Sequence, residues 1–263
     1  MGKFEGEIVG AVPLGIKGGV KREYGNAKTE GWMKRYSSRQ MRRALGKYAT
    51  KTTPFAIGEG IVLDIFEVED AYVLLDRMIE QEGLLHRVER FPYWAEIWPA
   101  SLALARWFCL ADLPSPRKAL ELGCGLGLVG IALARLGWRV EATDFVEDAL
   151  IFASHNAQTN QVAGRHQVGY LDWSQPVGTP CECLVASDVA YEKKNHPFLA
   201  RVLRKLLLPG GRFYLSDPRR QPTPHFVEML VKQGYEHAVE SLAQPWKSLE
   251  HQVDIHTFIK PTE

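Results

Sequence analysis

Long hydrophobic runs are missing from this 263-residue chain. The nearest candidate, VLLDRMI at 73–79, carries charge and falls far short of the roughly 18 residues that a bilayer span needs, so no membrane crossing is expected. The opening MGKFEGEIVGAVPLG has too few consecutive apolar residues for a secretory signal, and Gly6 stands where N-myristoylation requires Ser or Thr. Cysteine is scarce: Cys109, Cys124, Cys181 and Cys183 only. The pair in CEC at 181–183 has no neighbouring Cys or His to complete a four-ligand set, which argues against a metal site. Reduced thiols, and hence a cytoplasmic location, are the expectation; a monomer is expected as well. Net charge is also small, at +1, which excludes an overall polycation.

That small total hides an asymmetry. Residues 17–51 hold eleven Lys and Arg against two acids, a local +9 that leaves −8 for everything else. We expect residues 1–53 to form a basic arm without a core of its own, able to contact RNA, a ribosome or another acidic surface. Within it, Met41, Ala44, Leu45 and Tyr48 recur at i, i+3, i+4 and i+7, which suits one short amphipathic helix.

Residues 54–110 read as a strand and helices capping a larger domain. GIVLDIFEV at 60–68 suits a strand; Leu74, Leu75, Met78 and Ile79 share a helical face that Gly83 ends. Pro99 then opens a helix to about Leu110, at the one position where its missing N–H costs nothing. Residues 111–263 read as the core domain, and from 117 onward strands and helices alternate, with predicted strands at 118–122, 138–144, 166–171, 182–187 and 211–216 and helices between them. Such alternation specifies an α/β, doubly wound Rossmann-like parallel sheet. The last two strand segments, 235–242 and 252–259, have no helix between them and should form an antiparallel edge hairpin.

ELGCGLGLVG at 121–130 admits two readings. From Gly125 it matches a dinucleotide fingerprint; from Glu121 it is the first loop of an S-adenosylmethionine (SAM) site. The strand KALEL ends directly at Gly123, so Gly123, Gly125 and Gly127 form the turn while Gly130 falls inside the helix. Dinucleotides place a pyrophosphate at the helix N-terminus. SAM instead presents a carboxylate, an ammonium and a sulfonium, for which the acidic Glu121 is the better match. Asp144, closing the second strand, suits ribose hydroxyls in either cofactor. Asp172 and Trp173, after the third strand, suit an adenine amino group and ring. An NAD-dependent enzyme stays as a rival that the glycine register disfavours.

ELGCGLGLVGIALARLGWRVEATD resembles motif I and the following acidic loop of class I, seven-β-strand SAM-dependent methyltransferases. PYWAEIWPASLALARWF, and SDVAYE at 187–192 with its D-x-x-Y pair Asp188 and Tyr191, resemble the group holding protein-lysine methyltransferases and nicotinamide-methyltransferase-like proteins. SDPRR at 216–220 is similar to that group too. The resemblance spans about 54–263 and omits the arm. It implies SAM as cofactor, held by Trp98, Glu121, Gly123, Gly125, Gly127, Asp144, Asp172, Trp173 and Ser187. It assigns Asp188 and Tyr191 to orienting a substrate nitrogen, with proton acceptance open to either. Tyr93 and Trp94 are expected to line an acceptor channel, and His196 to be a capping or surface residue. A protein lysine is the expected acceptor, with a small pyridine or amine, or an RNA-binding module on the same fold, as alternatives. The absence of an N-P-P-Y-like motif disfavours exocyclic base and glutamine amides.

Overall fold

The structure, a computed structural model, describes residues 32–58, 60–82, 91–111, 113 and 118–262. Residues 1–31 and Gly83, and the side chains of Met78 and Ile79, lie outside the described residues. The first elements are β1 (Met33–Lys34), α1 (Ser38–Leu45), and the antiparallel pair β2 (Thr50–Gly58) and β3 (Ile61–Val68). The boundary placed at residue 53 therefore does not divide the described chain: residues 32–53 belong to the folded domain. Met41, Ala44 and Leu45 are buried as their spacing requires, and a capping box between Ser37 and Gln40 starts the helix. Composition concealed this because the stretch is basic on its outer face only. Trp32 is buried on the bare backbone of Gly169, where a Cβ would stand 2.6 Å from the indole ring, and β1 pairs antiparallel with that strand.

α2 (Ala71–Glu82) and α3 (Pro99–Leu110) follow, the latter with Pro99 as its first residue. Then β4 (Lys118–Leu122), α4 (Leu128–Arg135), β5 (Arg139–Asp144), α5 (Glu147–Thr159), β6 (His166–Tyr170), β7 (Cys181–Ser187), α6 (His196–Leu206), β8 (Leu207–Asp217), α7 (Thr223–Lys232), β9 (Glu236–Trp246) and β10 (Leu249–Ile259) complete the chain. The sheet order is β1-β6-β5-β4-β7-β8-β10-β9, parallel from β6 to β8. The C-terminal hairpin is antiparallel and joins through β10, as the missing helix between its strands requires.

Alternation along the central strands feeds two cores. Ala119, Cys183 and Val185 pack with α3, α4 and α5, while Leu120, Leu122, Leu184 and Ala186 pack with α6 and α7. β4 lies between β5 and β7, so strand order reverses there and a crevice opens beyond the strands' carboxyl ends.

Two asparagines of α5 attach the β2–β3 hairpin to this frame. Asn156 donates to the carbonyls of Phe66 and Leu126, both at 3.0 Å, and accepts from the Phe66 N–H at 2.8 Å. Asn160 exchanges the same pair of bonds with Asp64. Their amides thus serve β3 as a neighbouring strand would.

Candidate active site

A cavity of about 580 Å³ occupies that crevice. Of the residues singled out in the sequence, Trp98, Glu121, Gly123, Gly125, Asp144, Asp172, Trp173, Ser187, Asp188 and Tyr191 all line it; Gly127 does not.

The glycine turn explains that division. A Cβ on Gly123 would press on Val189 and the Trp173 ring, and one on Gly125 would stand 3.2 Å from the Trp94 carbonyl. Gly127, at φ +85, faces the other way: its Cβ would lie 2.9 Å from that of Ala153. Its role is to let α4 start close against α5, a correction to its expected place at the cofactor. Gly130 leaves room for the Glu121 carboxylate and the His166 ring beneath α4.

Glu121 is buried, and its Oε2 has no hydrogen-bond partner. Burial pushes its carboxyl up to about 8, and nearby Asp144 adds to the rise. Such a group holds an extra proton in the folded state between about 4.5 and 8, so it costs stability as pH rises through that window. His166 acts oppositely. Burial pushes its imidazole down to about 4, so its contribution is complete above 6.5 and is lost as pH falls toward 4. Asp217, raised to about 6 by burial, has finished titrating below that point. Between 4.5 and 6.5 the opposite slopes of Glu121 and His166 cancel, so the loss due to Glu121 should show in the thermal stability of the ligand-free protein as a decline between about 6.5 and 8. Glu121→Gln is expected to flatten the decline in melting temperature; an unchanged profile would exclude Glu121 as its source.

Asp144 is buried and accepts the Gly125 N–H at its Oδ2 and the Val146 N–H at its Oδ1, both at 3.0 Å. One carboxylate thereby ties the glycine turn to the start of α5, and burial raises its pKa against those bonds. Asp172 accepts the Ser174 N–H at 2.8 Å, which turns the chain so that Trp173 reaches Gly123.

The opposite wall is aromatic. Trp98 donates from Nε1 to the Tyr93 carbonyl at 2.9 Å, and the Tyr93 ring meets those of Trp98 and Tyr191 at 5.9 and 5.3 Å. Trp94 also borders the cavity, but its ring packs on Tyr48 and Phe152 within the core rather than forming a channel with Tyr93. Burial, with Glu192 nearby, pushes the Tyr191 phenol far above its ordinary value, which favours its protonated form.

Asp188 adopts φ +52, an uncommon conformation for a non-glycine residue, and its N–H donates to Ser216. Its carboxylate is almost wholly buried and held by both arms of Arg220: Nε to Oδ1 at 2.9 Å and Nη2 to Oδ2 at 2.7 Å. Arg220 also lies 5.6 Å over the Trp98 ring. SDPRR drew notice as a segment, yet no spacing rule ties Arg220 to a carboxylate 32 residues earlier. His196, expected as a capping or surface residue, stands at the start of α6 and caps the turn before it, but is fully buried, with its Nε2 bonded to the Ala190 carbonyl beneath this loop at 2.9 Å.

Comparison with known proteins locates the chain further. A family profile described as lysine methyltransferase matches residues 93–233, more than half of the chain. The protein-lysine N-methyltransferase rrg1 of Schizosaccharomyces pombe is 32% identical over 158 residues, 55% of this chain and 51% of that protein. The ribosomal protein L11 methyltransferase of Thermus thermophilus is 33% identical over 129 residues, 49% of each chain. The chain thus spans about half the length of these two relatives. Among solved structures, one titled for the conversion of a disulfide bond into a thioacetal group during echinomycin biosynthesis superposes with a TM-score of 0.52. It is 16% identical, covering 61% of this chain and 82% of that one, a likeness of fold.

Proposed function

The chain belongs to the lysine methyltransferase family of class I SAM-dependent methyltransferases, and on that premise we propose that it moves a methyl group from SAM to the side-chain amine of a protein lysine. One observation carries the reading: the glycine turn, Asp144 and the Asp188–Tyr191 loop, far apart in sequence, border one cavity.

The residues present fit the cofactor. Glu121 is the buried acid at the cavity wall for an ammonium, its unpaired Oε2 lying under α4 beside Gly130 and His166, and Gly123 and Gly125 leave bare backbone nearby. Asp144 keeps lone pairs for ribose hydroxyls beyond the two N–H groups it already accepts. Asp172 and Trp173 stand for adenine, and Ser187 lines the end of β7. When bound, SAM supplies a methyl electrophile on a positively charged sulfur, so the departing group needs no proton. The protein's work is then to align two reactants and exclude water. A lysine amine, with a reference pKa of about 10.4, must arrive without its proton. Walls made by Tyr93, Trp98 and Tyr191 penalise the charged form. Asp188, fixed by Arg220, and Tyr191 orient the acceptor.

Incubation with methyl-labelled SAM and a native lysate tests the proposal. Label is expected in protein, recovered as methyl-lysine after hydrolysis. Label confined to small molecules would transfer the reading to a pyridine or amine acceptor.

A second partner is favoured by the face of α1. Arg39, Arg42 and Arg43 are exposed at i, i+3 and i+4, opposite the buried Met41, Ala44 and Leu45. None has an ion-pair partner among the described residues. Arg43, Lys34 and Lys47 also line a second cavity, of about 590 Å³, which meets the first at Phe145, Val146 and Tyr170. The arginine strip itself offers three cations with no apolar anchor between them, which suits a phosphate backbone, while the adjoining cavity also carries the exposed Phe145 and the acids Glu147 and Asp148. The strip is therefore assigned to RNA, free or ribosomal. Arg39→Gln/Arg42→Gln/Arg43→Gln should reduce the salt slope of binding to a 20-nucleotide RNA by about 2. An unchanged slope, or polyglutamate competing as well as RNA does, would remove this partner.

A further inference from the structure

The mouth of the crevice carries a charge arrangement that the reaction alone does not require. Asp188 lies on the loop expected to receive the acceptor, yet both its oxygens are bonded to Arg220. Arg220 is itself held at its backbone and along its guanidinium face. Its own N–H donates to Asp217 Oδ2 at 2.9 Å, Asp217 accepts the Thr223 hydroxyl at 2.7 Å, and the guanidinium rests over Trp98. This much restraint on a half-exposed arginine gives Asp188 a counter-ion that cannot easily swing away.

We propose that Arg220 sets the electrostatic potential of the methyl-transfer mouth: by neutralising Asp188 it leaves no bare carboxylate at that position of the loop, so that the acceptor is received there as a neutral amine instead of being held as an ammonium. Arg220 is a positioning residue that acts through Asp188. This inference rests on the methyltransferase reading above. An unmasked Asp188 would bind a cation tightly, and a lysine ammonium so held has no lone pair to offer. The other charged and titratable groups around the crevice are Glu192 and Lys194 on the same loop, Tyr93 and Tyr191 on its walls, Glu96 paired with Lys247, Glu121, Asp144 and Asp172 across the cavity, and the buried Asp217 and His196 behind. Among the described residues, Arg220 alone pairs directly with Asp188.

SAM and S-adenosylhomocysteine (SAH) differ by one positive charge at the reacting sulfur, so the ratio of their dissociation constants reads this potential without an acceptor. Both constants would be measured by calorimetry for the wild-type protein, Arg220→Gln, Arg220→Lys and the double variant Arg220→Gln/Asp188→Asn. Arg220→Gln should raise the preference for SAM over SAH on the order of tenfold, the size expected when one neighbouring charge is unmasked in a half-open cavity. Arg220→Lys should stay within about threefold of the wild-type ratio because it keeps the cation. Removing the carboxylate as well should return the ratio to wild type. Arg220→Met, which keeps the apolar stem over Trp98, replaces the Gln variant if that one does not fold.

An unchanged ratio in Arg220→Gln overturns the inference, as does an equal loss of both ligands, which would mark Arg220 as structural only. So does a double variant that keeps the altered ratio, because the effect would then not pass through Asp188. Failure of the wild-type protein to bind either ligand would be seen before any variant and would end the proposed function together with this inference.

Discussion

Asn156→Ala is expected to destabilise the protein by about 4 kcal/mol, lowering the melting temperature by roughly 8–15 °C. The side chain is fully buried, and its loss deserts three backbone groups at once: the N–H and C=O of Phe66 and the C=O of Leu126. A buried backbone group left without a partner costs about 1–3 kcal/mol. Asn156→Asp keeps the shape but has no donor for the two carbonyls, so it should fare no better above the titration range of a carboxylate. Because Leu126 belongs to the glycine turn, SAM affinity should fall along with stability. Denaturant unfolding provides the measurement. A loss under 1 kcal/mol would mean that β3 holds its position without the asparagine.

The second large effect is expected at Asp144. Asp144→Ala should weaken SAM binding at least about 100-fold, the equivalent of losing two charge-assisted hydrogen bonds to ribose. It also frees the N–H groups of Gly125 and Val146, loosening the turn before any ligand arrives. Asp144→Asn separates the two contributions. An amide has one oxygen, so it can satisfy either N–H but turns a donor toward the other. Its affinity should therefore fall between wild type and Ala, with a smaller loss of melting temperature. Calorimetry that finds SAM affinity within fivefold of wild type in Asp144→Ala would dismiss Asp144 as the ribose ligand. SAH should follow SAM here, because ribose is common to both. That parallel loss distinguishes an Asp144 defect from the charge-dependent change expected at Arg220.

Individual residues show how far the chain's own pattern reaches. Gly127 reads as part of a cofactor turn because it shares a spacing with Gly123 and Gly125, but its φ of +85 serves helix packing against Ala153. Trp94 and Tyr93 are adjacent, and alternation cannot tell which ring enters the core. Tyr48, Phe152 and the approach of the Trp94 backbone to Gly125 decide it. β2, with Pro54 and three threonines at Thr50, Thr52 and Thr53, carries little apolar signal, and its pairing with β3 and the asparagines of α5 supplies what its composition lacks.

What the chain determined alone was local and periodic. Apolar strands alternating with amphipathic helices dictate a parallel sheet, an uninterrupted strand pair dictates the hairpin, and glycines abutting a strand end dictate a turn with bare backbone. Those constraints act within a few residues, so they are written into neighbouring letters. What only the folded molecule decided involves partners tens of residues apart: Trp32 on Gly169, Asn156 on Phe66, Arg220 on Asp188. Each depends on a burial or a charge pairing that exists only after the sheet has assembled, and no spacing in one chain records which distant group will be there to meet it.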